Sequence, residues 1–81
     1  MLTDDQAKRL IAANVQRLMD EKGMNQTQLA EATGESCARV SMMVRGVKTP
    51  SAPFLHRIAE ALEVTVDEIL SKQGRKFAES R

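Results

Sequence analysis

The sequence predicts an all-α fold, a compact bundle of five short helices, from three observations. Apolar residues recur at helical spacing, and cap residues and glycines divide the chain into five segments of helical length. No alternating apolar and polar run marks a strand, and no repeat is present.

Each element follows from its own punctuation. Thr3-Asp4-Asp5-Gln6 has the form of a capping box with acids in the first turn, and Ile11, Val15 and Leu18, with Met19 beside them, form a stripe behind it. That predicts a first helix over about Asp4 to Lys22, stopped by Gly23. Asn25 caps a second helix from Gln26 to Thr33, which Gly34 ends. Ser36 caps a third, about Cys37 to Arg45, terminated by Gly46. Thr49-Pro50-Ser51 is an extended turn, because a residue before proline avoids the α region. Ser51 then caps a fourth helix, with Pro53 in its first turn, running to about Leu62. Thr65-Val66-Asp67-Glu68 opens a short fifth helix as a second capping box, and Ile69 and Leu70 pack back on the core. Residues 1–70 therefore make one domain, and the glycine-containing KQGRKFAESR makes 71–81 a polar, frayed tail.

Composition excludes several classes of function. A chain of 81 residues has room for one small domain. With only Phe54 and Phe77 as aromatics, its core is aliphatic with methionine as gap filler. No apolar run approaches the roughly 20 residues that cross a bilayer. The opening MLTDDQAKRL is acidic where a signal peptide is basic and then hydrophobic, so a cytoplasmic protein without membrane contact is expected. The single cysteine, Cys37, has no disulfide partner and no companions at zinc spacing, so neither metal nor cofactor is expected. The sole histidine, His56, and Cys37 lie on different helices without a paired carboxylate, and no phosphate-cradling glycine loop occurs. An enzyme is not supported.

The segment Gln26 to Arg45 carries the functional signal. Ala30 is small where the second and third helices approach most closely, Gly34 can take the positive φ that redirects the chain, and Leu29, Val40 and Met43 close the apolar seam. Two short helices joined by such a turn form a helix-turn-helix, whose second helix lies in the DNA major groove. The formal net charge is only +1, but its distribution is uneven. From Ser36 to Ala59 there is no acid, and that window holds Arg39, Arg45, Lys48 and Arg57, whereas most carboxylates lie at Asp4, Asp5, Asp20, Glu21 and from Glu60 to Glu68.

In order and spacing, VQRLMDEKGMNQTQLAEATG, RVSMMVRGVKTPS and IAEALEVTVDEIL resemble the Cro/phage-repressor (lambda-repressor-like, XRE) helix-turn-helix family over roughly residues 10 to 70. The resemblance implies a transcriptional regulator, acting as a repressor, bound to double-stranded DNA as a homodimer on half-sites about 34 to 36 Å apart. Such a protein is nucleoid-associated within the cytoplasm. Helical spacing turns Val40, Met43 and Val44 inward and leaves Cys37, Ala38, Ser41 and Met42 outward, with Arg39 and Arg45 on the flank. By resemblance Cys37, Ala38, Ser41 and Met42 read base edges, apolar contact with thymine methyls being what three of them can offer, and Arg39 adds any guanine contact. Modest base specificity is expected. Gln26 and Ser36 near helix starts, with Arg45 and Lys48, are expected on the DNA backbone. The lesser alternatives are Met42 as a core residue and Cys37 as a packing residue or, least favoured, an oxidation-sensing thiol, whereas the cations read equally as solvated charges.

The resemblance also implies a dimer contact at Val64, Val66, Ile69 and Leu70, with ordinary core as the alternative. Many members pair an Arg late in the first helix with a Glu late in the third; here the matching residues are Met19 and Val44, which predicts an apolar contact instead. Thr33 and Glu35 stand where the family favours aliphatics, and Glu35 weakens phosphate binding unless Arg39 neutralises it. The competing reading is a protein-interaction module, an antitoxin or anti-repressor, with the same outward helix face on a protein partner.

Overall fold

Five side-chain caps set the five helices of the computed structural model, which describes residues 3–71. Thr3, Asn25, Ser36, Ser51 and Thr65 each accept the backbone N–H three residues on, satisfying one of the donors a helix start leaves open. The helices are α1 (Asp4–Lys22), α2 (Gln26–Thr33), α3 (Cys37–Val44), α4 (Ala52–Leu62) and α5 (Val66–Ile69). Gln6 and Gln28 return the bond to the caps of α1 and α2, which completes two capping boxes. At α5 only the Thr65 half of the expected box is formed. Helix α3 ends one residue earlier than expected, since Arg45 is its C-cap and Gly46 turns the chain at φ 75°. The expected polar tail over 71–81 lies, apart from Ser71, outside the described residues.

The end of α4 departs from the sequence pattern. Glu63 adopts φ 61°, a left-handed conformation usually left to glycine, and Val64 N–H closes on the Ala59 carbonyl at 3.0 Å. Lys22 of α1 donates to the Glu63 carboxylate at 2.7 Å and ties this corner to the end of α1.

Helix α1 is the spine. It packs against α3, α4 and α5, while α2 packs against α3 and α4. Val15, Met19, Leu29, Val40, Met43, Ile58, Leu62 and Ile69 are fully enclosed, and burying each such side chain stabilises the fold by about 1.5–3 kcal/mol. Met19 lies in this core and Val44 packs against it, so the place of the family's ion pair is apolar here. Asn14 interrupts the apolar face of α1, buried, with Nδ2 donating to the carbonyls of Ile69 and Ser71. Among the described residues no helix is long and apolar enough to cross a membrane.

Candidate nucleic-acid interface

The turn between α2 and α3 is built from its backbone outward. Gly34 takes φ 76°, and its N–H and that of Glu35 both reach the Ala30 carbonyl, at 2.9 and 3.1 Å. Thr33 is buried at this corner because its hydroxyl donates back to the Leu29 carbonyl at 2.8 Å, which satisfies the polar group an aliphatic would lack. Ala30 is buried, and Leu29, Val40 and Met43 fill the crossing. Helix α3 is thus held by one face.

Its other face is open. Cys37, Ala38, Arg39 and Arg45 are exposed, while Ser41 is half-buried. Met42 is half-buried too, between the outward and the core readings. It lines a cleft of about 300 Å³ between α3 and the start of α4, with Arg39, Lys48, Ser51 and Phe54 around it. Val47 and Lys48 fold back over the end of α3, their N–H groups directed at the Met42 carbonyl at 2.9 and 3.4 Å, which places the exposed Lys48 next to the end of the helix. Arg45 lies along α3, its Nε donating to the Ser41 carbonyl at 3.4 Å.

Gln26 opens α2, half-buried, and Ser36 caps α3 with its Oγ 3.2 Å from the Arg39 N–H. The Ser36 hydroxyl proton is still available to an acceptor. The first turn of each of these helices holds no acid, although Glu35 lies just before the cap of α3.

Glu35 is paired with the Arg39 that the sequence offers and also with a second arginine, Arg57. Its Oε2 accepts from Arg57 Nη2 of α4 at 2.6 Å, and its Oε1 lies 3.7 Å from Arg39 Nε. The stronger partner is the distant arginine. It was missed because sequence spacing reveals pairs within one helical turn and not those made by packing α4 against the turn.

The residues expected at a dimer contact divide. Ile69 points inward with no exposed surface, so it is core, the four-residue α5 having one face to give to the bundle. Val64 and Val66 are half-buried and pack against that core. Leu70 is the exposed member, at 41%.

Three comparisons bear on this arrangement. A model of the helix-turn-helix family matches residues 15–69. The chain is similar to an uncharacterized HTH-type transcriptional regulator of Sinorhizobium fredii, 31% identical over 64 residues that cover 79% of this chain and 83% of that protein. In structure it is similar to a hypothetical transcription factor from Neisseria, with a TM-score of 0.78 over 88% of this chain and 82% of the other, at 22% identity. At that identity the likeness is one of fold.

Proposed function

This chain belongs to the helix-turn-helix family of the Cro/phage-repressor type, a family of DNA-binding and non-enzymatic proteins, and we propose that it is a sequence-specific transcriptional repressor. The observation that carries the reading is α3, anchored through Val40 and Met43, with its opposite face open inside a segment free of acids apart from the paired Glu35 before it. Residues 1–70 form the DNA-binding domain. Cys37, Ala38, Arg39 and Ser41 meet base edges, with Met42 reaching them from the cleft wall. Gln26, Ser36, Arg45 and Lys48 hold phosphates, which fix register without carrying sequence information. The protein acts as a homodimer joined at Leu70 with the edges of Val64 and Val66, which would space two half-sites by about 34 to 36 Å.

A repressor works by occluding polymerase, so the test is transcription in vitro from the promoter upstream of this protein's gene. Transcript falling as protein is added supports repression. Transcript rising identifies an activator, and a level unmoved by protein that binds no DNA refers the open face of α3 to a protein partner.

A further inference from the structure

A carboxylate at the entrance of a DNA-reading helix opposes the phosphates, yet Glu35 stands there, one residue before the cap of α3. Its surroundings give it a use. The Glu35 side chain is 17% exposed and Arg39 64%, so the acid is the shielded member and the base the open one. Behind it, Arg57 reaches from α4 and takes Oε2 at 2.6 Å, fixing the carboxylate against the body of the bundle. In front, Oε1 meets Arg39 through Nε, at 3.7 Å. No hydrogen bond among the described residues engages the two terminal amines of Arg39.

We propose that Glu35 is a positioning residue for Arg39, anchored by Arg57; this rests on α3 being the DNA-reading helix. Contact at the Nε edge leaves the terminal amines of Arg39 as the part that reaches the groove, and an arginine uses that part to address the O6 and N7 of guanine. An exposed arginine otherwise loses rotamer freedom when it binds, and a partner that holds it beforehand lowers that cost. Charge is also partitioned. Glu35 and Arg57 cancel at short range, and Arg39 keeps its positive charge for DNA. The acid therefore serves discrimination at some expense to general affinity for phosphate.

The test begins with a duplex selected from a randomised pool on the full chain, each of its base pairs then being replaced in turn. R39A identifies the base pair that Arg39 reads. E35Q, nearly the same in shape, should lower discrimination at that pair about tenfold while raising affinity for an unselected duplex. In the R39A background E35Q should cause no further loss of discrimination, because the two residues act as one unit. E35D keeps the charge but not the reach, and it should lose the same discrimination; it also replaces E35Q if circular dichroism shows that variant unfolded. An unchanged discrimination profile, or a loss that adds to that of R39A, would overturn the proposal. Failure of the wild-type chain to select any duplex would overturn the DNA-reading role of α3, and this proposal with it.

Discussion

Asn14 of α1 donates from one side-chain amide to the carbonyls of both Ile69 and Ser71, the latter at 2.8 Å, and so stitches the first helix to the end of the last. Helix C-termini leave carbonyls without intrahelical partners, and α5 is too short to hold itself in place by its own backbone bonds. N14L should therefore lower stability by about 1–3 kcal/mol, since it strips the donor from one buried and one half-buried carbonyl. N14D should cost more at neutral pH, where its carboxylate opposes the same carbonyls. Urea denaturation with an unchanged m-value checks both.

Ala30 is buried on α2, which packs against both α3 and α4. Replacing it with leucine should destabilise by about 1–3 kcal/mol through overpacking. The loss should appear in thermal melts monitored by circular dichroism, and DNA affinity should fall in step as the α3 face is displaced.

Gly34 needs its conformation and not its lack of bulk, because a Cβ at that position meets nothing within 4 Å. G34A should cost about 1–2 kcal/mol, the penalty of a left-handed residue. G34N should cost less, since asparagine tolerates this region better, and a steric origin would instead make asparagine the worse of the two.

Lys22 and Glu63 give a small pH dependence. The hydrogen bond from Lys22, and then its positive charge, lower the Glu63 pKa from the ordinary carboxylate value. The folded pKa is thus below the unfolded one, so the contribution is complete above the unfolded value and is lost as pH falls through the folded one. Stability curves of wild type and K22Q should converge in acid and separate toward neutral pH, by an amount that added salt reduces. E63G should melt above E63A, because both lose the pair and only glycine suits φ 61°.

The helices and the turn were legible because their determinants are local. A cap, a glycine and an apolar stripe all lie within a few residues of what they control, as at Asn25, Gly34 and Val40. Determinants made by packing were hidden. Asn14 finds its partner 55 residues away and Glu35 finds Arg57 22 residues away, so sequence spacing offered Arg39 in place of the stronger contact. Ile69 and Leu70 are adjacent and equally apolar, and only the docking of a four-residue helix decides that the first is core and the second surface. Met42 was ambiguous for the same reason, since the loop through Pro50 supplies the cleft wall that half-covers it. At Glu63 a left-handed cap without glycine carries no sequence signature.

The central claim is that α3 and its flanking cations bind DNA specifically, and the most direct measurement is affinity as a function of salt for two duplexes, one of random sequence and one from upstream of the gene. The logarithm of affinity should fall linearly with the logarithm of salt, and R45A and K48A should each flatten that slope by about 0.9, one phosphate contact apiece. The upstream duplex should be preferred by about a thousandfold or more. Absence of binding to either duplex at low salt would contradict the account.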